Sequence, residues 1–214
     1  EISSFYDPML AKVIAWGETR EIARHRLINA LKGTALFGTA TNKNFLMEVL
    51  TRESFSKGEA TTAFINQEFP GSGWKEPIPT LQEIAIASAL QYNVESQEAL
   101  NTSLNVSTAL KNWSSAGHLT SRYVYAFGGS EFDITVAPQR DGTYVVKIGE
   151  KEMILSILDM GAHTARLTVD GRRKKVLYSA PSAGVLDLSI EGRQMHYYNR
   201  IAFAAGIQDK AGDG

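Results

Sequence analysis

The sequence of 214 residues contains no cysteine, which excludes a disulfide framework, thiolate catalysis and a zinc site built from cysteine. It also lacks a charge excess, because 22 Lys and Arg residues stand against 23 Asp and Glu residues. A net charge of -1 creates no overall field that would attract nucleic acid or an anionic membrane. No apolar run approaches the roughly 20 residues of a membrane-spanning helix. We therefore expect neither a nucleic-acid nor a membrane partner, and a cytoplasmic location.

A start signal is missing as well. The chain begins at Glu1 without an initiator methionine, a basic n-region or a signal-peptide cleavage pattern. We interpret Glu1 as a position inside a longer protein.

The chain divides at residues 69–79, where three prolines and two glycines disfavour regular structure. In the first half, residues 9–16 predict a short buried strand that Gly17 ends. Thr19 and Thr41 are each predicted to cap a helix. This half is α/β in character, and it buries too little surface for a complete domain.

The second half begins with a helix predicted over residues 80–96. The spacing of Thr80 and Glu83 is that of a capping box, and the residues from Leu81 to Tyr92 are apolar nearly all round. Eight short strands follow within residues 121–203, separated by turns such as Asp141-Gly142 and Asp170-Gly171. They are predicted at residues 122–125, 132–136, 143–148, 153–158, 165–169, 174–178, 185–190 and 194–199. This pattern predicts an antiparallel barrel that encloses the helix.

Signals for catalysis are few. The four histidines have no spacing that would assemble a metal site, and neither a nucleophile elbow nor a phosphate-binding glycine loop occurs. The basic run 172–175 is interpreted as a solvated hairpin edge. We therefore assign no catalytic, cofactor-binding or metal-binding residue.

The irregular segment 100–120, named the hook below, is the functional candidate. A tryptophan with aliphatic neighbours suits the anchor of a protein interface, whereas plugging the barrel is an equally open role for Trp113. The predicted interface residues are Leu104, Val106, Leu110, Trp113 and Leu119.

Residues 5–17, with Phe5-Tyr6-Asp7-Pro8-Met9-Leu10-Ala11-Lys12, followed by Gly38, Thr41-Asn42 and Phe45-Leu46, resemble the closing segment of the biotin carboxylase domain. The resemblance assigns residues 1–69 to the incomplete C-terminal end of that domain. In such enzymes the ATP loop, the metal ligands and the biotin pocket lie upstream of this segment.

Residues 70–214 resemble the domain that links biotin carboxylase to carboxyltransferase in propionyl-CoA, methylcrotonyl-CoA and geranyl-CoA carboxylases. The implied fold class is α+β, a truncated α/β end followed by an eight-stranded antiparallel barrel around a central helix. The implied partners are the carboxyltransferase (beta) subunit, bound through the hook, and the rest of the alpha subunit. The biotin-accepting lysine, which stands between two methionines in that family, is expected beyond Gly214.

The resemblance implies a parent ligase that uses ATP, magnesium or manganese, bicarbonate and biotin to carboxylate an acyl-CoA. This chain is expected to bind none of these cofactors and to be inactive alone. Methylcrotonyl-CoA is the preferred acyl group, with propionyl-CoA or geranyl-CoA as alternatives. The location would be a bacterial cytoplasm or a mitochondrial matrix. The rival hypotheses are a barrel that binds a small apolar ligand in a hollow interior and an enzyme that acts on its own.

Overall fold

A computed structural model describes residues 9–71, 73–103, 107 and 119–202. The chain forms two compact units. The helical unit comprises Glu1–Pro77 together with Glu191–Gln194, and the barrel unit comprises Ile78–Ile190 together with Met195–Gly214. The change of unit after Pro77 lies in the segment rich in proline and glycine, where the backbone cannot continue a helix or a strand.

Four helices form the described part of the helical unit: α1 (Arg20–Gly33), α2 (Lys43–Thr51), α3 (Glu53–Lys57) and α4 (Phe64–Glu68). Their small core is apolar, as the spacing of the apolar residues requires. Its buried members are Ile28, Leu31 and Leu50, with Leu27, Met47 and Phe55 packed against them.

The two predicted helix starts have different outcomes. Thr19 is the N-cap of α1, and its side chain accepts a hydrogen bond from the backbone N–H of Ile22. The prediction for α2 was wrong by one residue, because Asn42 occupies the N-cap position. The hydroxyl of Thr41 instead accepts from the N–H of Lys43, the first residue of α2.

The strand predicted over residues 9–16 is not formed. These residues have no regular structure, and the side chains of Met9, Ile14 and Trp16 are 64%, 81% and 72% exposed. A strand exists only through hydrogen bonds to a neighbouring strand, and the described elements of the helical unit are helices apart from the start of β8. The apolar run therefore gave the wrong prediction, because its composition carries no information about a pairing partner.

The central helix, α5 (Leu81–Thr102), begins with the predicted capping box. The Thr80 side chain accepts from the N–H of Glu83, and the Glu83 carboxylate accepts from the N–H of Thr80 at 2.7 Å. The nine residues from Ile84 to Tyr92 are all buried, as the apolar composition predicted. The helix ends at Thr102 rather than at 96, so residues 100–102 of the hook are helical. Polarity after Val94 marks where burial ends, and the helix continues beyond that point.

Eight strands follow α5, each within a few residues of its prediction: β1 (Ser121–Phe127), β2 (Ser130–Pro138), β3 (Thr143–Ile148), β4 (Lys151–Met160), β5 (Thr164–Val169), β6 (Arg172–Ser179), β7 (Val185–Ile190) and β8 (Arg193–Tyr198). They pair in chain order as one antiparallel sheet, in registers such as Arg122 with Thr135. Three of the described hairpins turn through two consecutive residues of positive φ, Gly128-Gly129, Asp170-Gly171 and Glu191-Gly192, which match the right-handed twist of the strands.

The sheet curls around α5 into a nearly closed barrel. Buried side chains alternate along most of the strands, all six residues of β7 are buried, and α5 contacts β2, β3, β4 and β7. Asn199, directly after β8, accepts a hydrogen bond from the N–H of Val124 in β1 at 3.1 Å, and Arg200 pairs with Glu131 in β2. These contacts bring the end of the sheet back to its beginning.

The interior of the barrel is filled by α5. Ile84, Ile86 and Leu90 are at most 1% exposed, and burying each such side chain stabilises the fold by ~1.5–3 kcal/mol. A barrel that binds a small ligand requires a hollow interior, so this finding argues against that rival hypothesis.

Among the described helices, none is both long enough and apolar enough to cross a membrane.

Candidate functional site

Along the chain, the hook joins the end of α5 to the beginning of β1 within the barrel unit. Four of its predicted interface residues, Leu104, Val106, Leu110 and Trp113, lie outside the described residues. Leu119 is described, and it is 38% exposed two residues before β1 begins. The structure therefore shows how the two ends of the hook are held, and the assignment of its interface residues stays a prediction.

A carboxylate on α5 holds these ends together. The Oε2 atom of Glu95 accepts a hydrogen bond from the Tyr123 hydroxyl in β1 at 2.9 Å. Its Oε1 atom accepts from the side-chain amide of Gln91 at 2.9 Å and from the N–H of Gly184 at 3.3 Å. Gly184 directly precedes β7, so one side chain joins the last turns of the helix to two parts of the barrel.

A second tyrosine extends this cluster inward. The Tyr125 hydroxyl donates to the Oε1 atom of Gln91 at 2.6 Å, and both side chains are almost completely buried. Every polar atom named here has a partner, and such partners remove most of the penalty for burying polar groups. The cluster of Gln91, Glu95, Tyr123, Tyr125 and Gly184 is named the helix anchor below.

The electrostatics of the helix anchor keep both phenols protonated. Burial raises the pKa of Tyr123, and the nearby negative charge of Glu95 raises it further. Burial likewise raises the pKa of Tyr125 well above its ordinary value. Both hydroxyls therefore remain hydrogen-bond donors at neutral pH, and Tyr123 makes the stronger, charge-assisted bond.

A groove of about 460 Å³ lies beside the last turns of α5. Its walls are mostly amide and apolar side chains: Asn93, Val94, Gln97, Glu98, Asn101, Met160, Gly161 and Tyr178. Asn93 donates to the Tyr144 hydroxyl at 2.7 Å, and the Tyr178 hydroxyl donates to the carbonyl of Gly161 at 2.7 Å. The groove offers hydrogen-bonding groups, but it does not bring an acid, a base and a nucleophile together.

Two of the described histidines lie beside carboxylates, and His163 is exposed in the turn before β5. His25 lies 2.6 Å from Glu21 on the exposed face of α1, and His196 lies 2.7 Å from Asp187 between β8 and β7. Within residues 9–71, 73–103, 107 and 119–202, no group of three potential metal ligands occurs. His118 lies outside these residues.

The basic run lies on the hairpin of β5 and β6. Arg172, Arg173 and Lys175 are exposed, and the register with β7 begins only at Val176. This placement agrees with the interpretation of a solvated hairpin edge.

The helix anchor was missed by the sequence analysis. Gln91 and Glu95 are four residues apart on α5, and Tyr123 and Tyr125 alternate on β1, so the two pairs face one another. Polar residues that follow a fully apolar helix, together with alternating tyrosines in the first strand, were the available signal.

Comparison with known proteins identifies the class of protein to which this chain belongs. Residues 1–67 match the biotin carboxylase C-terminal domain. The propionyl-CoA carboxylase alpha chain of Ruegeria pomeroyi is 33% identical over 174 residues, which cover 80% of this chain and 25% of the relative. The mitochondrial methylcrotonoyl-CoA carboxylase subunit alpha of Oryza sativa subsp. japonica is 26% identical over 234 residues, covering 97% of this chain and 31% of the relative.

A shorter match is found in the biotin carboxylase of Halalkalibacterium halodurans, 39% identical over 77 residues, which cover 36% of this chain and 17% of the relative. The chain belongs to the family of acyl-CoA carboxylase alpha subunits. It spans between a quarter and a third of the length of the Ruegeria and rice proteins.

Proposed function

We propose that this chain is a non-catalytic scaffold that links the biotin carboxylase part of an acyl-CoA carboxylase alpha subunit to the carboxyltransferase (beta) subunit. The observation that carries the proposal is the filled barrel, in which Ile84, Ile86 and Leu90 occupy the interior. Binding is then left to the outer surface and to the segments between elements, and the hook occupies the longest sequence interval between consecutive described elements of the barrel unit.

The hook is the proposed contact with the carboxyltransferase subunit, through Leu104, Val106, Leu110, Trp113 and Leu119. The helix anchor supports this role, because Glu95 and Tyr123 join the helix and the strand from which the hook departs. Holding both ends in place lowers the conformational entropy that the segment loses on binding.

Replacing Trp113 with alanine tests the proposed contact. An interface anchor commonly contributes ~2 kcal/mol or more, so Trp113→Ala should weaken binding of the beta subunit at least about tenfold. The melting temperature should stay unchanged. The measurements are titration of the complete alpha subunit with the beta subunit and thermal unfolding, with Asn112→Ala as the control from the same segment.

A result of the opposite kind would remove Trp113 from the interface. If Trp113 plugs the barrel, Trp113→Ala lowers the melting temperature by several degrees, as loss of a core aromatic does, without a separate binding defect. Unchanged affinity in a folded variant would contradict the proposed role of the hook at this residue.

The proposal extends to the reaction of the complete enzyme. The alpha subunit would carboxylate biotin with bicarbonate and ATP, supported by magnesium or manganese, and the carboxyl group would pass to an acyl-CoA. The role proposed for this chain within that enzyme is to hold its parts together. We assign it to the cytoplasm of a bacterium or, in a eukaryote, to the mitochondrial matrix.

Methylcrotonyl-CoA is the proposed acyl group, with propionyl-CoA and geranyl-CoA as alternatives. The rice methylcrotonoyl-CoA carboxylase subunit aligns with nearly the whole chain, whereas the Ruegeria propionyl-CoA carboxylase chain has the higher identity. Carboxylation rates of the complete enzyme on the three thioesters distinguish these substrates.

A further inference from the structure

The tip of the last hairpin belongs to a different unit from most of its strands. Glu191–Gln194 is part of the helical unit, whereas β7 and the rest of β8 belong to the barrel unit. The chain therefore passes from one unit to the other at three places: after Pro77, after Ile190 and after Gln194. The contacts that hold the tip among the helices are specific.

Two side-chain amides, those of Asn44 and Gln194, each form hydrogen bonds with both the N–H and the carbonyl of a backbone residue. Asn44 of α2 donates to the carbonyl of Gln194 at 2.7 Å and accepts from the N–H of Gln194 at 3.0 Å. The side chain of Gln194 in turn donates to the carbonyl of Leu36 at 2.6 Å and accepts from its N–H at 3.0 Å. Each amide forms a pair of hydrogen bonds that requires both a donor and an acceptor, so no aliphatic or carboxylate side chain replaces it fully.

The buried ammonium group of Lys43 completes the set of contacts around the hairpin tip, which is named the seat below. Lys43 is 3% exposed, and its Nζ atom donates to the carbonyls of Thr34 and Gly192, the latter at 2.6 Å, and to Oε1 of Gln194 at 3.2 Å. An ammonium group has three donors, and three acceptors surround it here. Burial lowers the pKa of Lys43 to about 8.

Gly192 fits against α1 because it has no side chain. A Cβ atom at this position would lie 2.6 Å from the Cα atom of Lys32 and 2.9 Å from the terminal carbon of Met47. The φ angle of +88° also favours glycine. Close backbone approach, paired amides and a satisfied buried lysine together describe a built seat for the tip.

We propose that Glu191–Gln194 is a built-in part of the carboxylase C-terminal segment, contributed by the last hairpin of the chain, with Lys43, Asn44 and Gln194 as positioning residues. The inference rests on the proposed scaffold function and adds the point of attachment on the carboxylase side. Its functional meaning is that the seat serves the coupling of the two half-reactions and leaves each half-reaction intact.

The test uses the complete alpha subunit with its beta subunit and the variant Gln194→Met, which keeps the side-chain length and removes the two hydrogen bonds to Leu36 and the one from Lys43. We expect overall acyl-CoA carboxylation to fall about tenfold or more, since small displacements in positioning have effects of this size. ATP hydrolysis stimulated by free biotin should change less than about twofold, because no group of the seat is proposed to touch that reaction. Gln67→Ala, at an exposed glutamine of α4, is the control and should change neither rate.

Asn44→Ala serves as a second variant if Gln194→Met fails to fold, and it should give the same split between the two rates. Hydrogen exchange adds a local readout, because the amide of Leu36 should lose protection in Gln194→Met and keep it in Gln67→Ala. Equal loss of both reactions would make the seat merely structural, and unchanged overall carboxylation would overturn the inference. Failure of the wild-type alpha subunit to bind the beta subunit would instead contradict the proposed scaffold function.

Discussion

Glu95 shows at the scale of a single residue how a charge is tolerated beside the core of the barrel unit. Its two oxygens accept hydrogen bonds from a tyrosine hydroxyl, a glutamine amide and a backbone N–H. A carboxylate without such donors would carry a large desolvation penalty. The donors come from α5, β1 and the turn before β7, so satisfying one charge also fixes three segments of the chain.

Removing one donor should therefore have a measurable effect. Tyr123→Phe deletes a hydrogen bond to a carboxylate and should lower the free energy of unfolding by about 1.5–3 kcal/mol in urea titration. Tyr178→Phe is the matched control, since it removes a bond to the neutral carbonyl of Gly161 and should cost only about 0.5–1.5 kcal/mol. Equal costs for the two variants would mean that the charge of Glu95 adds nothing to this bond.

The raised pKa of Tyr123 gives the same variant a pH signature. A tyrosine ionises near pH 10 in the unfolded chain but only at higher pH in this fold, so the stability present below pH 10 is lost as the pH rises above it. Tyr123→Phe should make this alkaline loss shallower, because one proton fewer is released on unfolding. Urea titrations between pH 8 and 11 measure the slope, and parallel slopes for both proteins would contradict the assignment.

At the scale of helices and strands, the sequence predicts those features that depend only on residues close together in the chain. The hairpins are readable because Asp-Gly and Gly-Gly pairs specify turns within a few residues, and the capping box of α5 lies within four residues. The strand expected at 9–16 failed because pairing depends on residues elsewhere. The seat of the hairpin tip was out of reach for the same reason, since Asn44 and Gln194 are 150 positions apart.

A charge placed on the buried part of the central helix should disrupt the barrel unit. Leu90→Asp places an unpaired charge at a position that is 0% exposed and should abolish cooperative folding of the barrel unit. Asn101→Asp, on the exposed end of the same helix, is the control and should leave the unfolding transition in place. Circular dichroism during thermal unfolding reads both variants. A folded Leu90→Asp protein would contradict the position of the helix inside the barrel.

The whole molecule combines a helical unit and a barrel unit that alternate along the chain. Residues 78–190 of the barrel unit stand between the two parts of the helical unit, and residues from 195 onward return to the barrel unit. The proposed scaffold function requires both the carboxylase segment and the hook, and this one chain carries both. The seat of the hairpin tip adds a specific set of contacts within the helical unit.

The seat of the hairpin tip should determine whether the two pieces of the chain stay associated after a single proteolytic cut. A single backbone cut at an engineered cleavage site between Pro70 and Lys75 should yield two pieces that still elute together, because Gly192 and Gln194 on one piece remain bound to α1 and α2 on the other. Gly192→Ala should release them, since its Cβ would overlap the backbone of Lys32. Gly171→Ala has a similar φ of +79° but open space around it, so in that variant the nicked pieces should stay together. A single cut in the backbone would then fail to separate the two pieces, because the contacts of the hairpin tip keep them together.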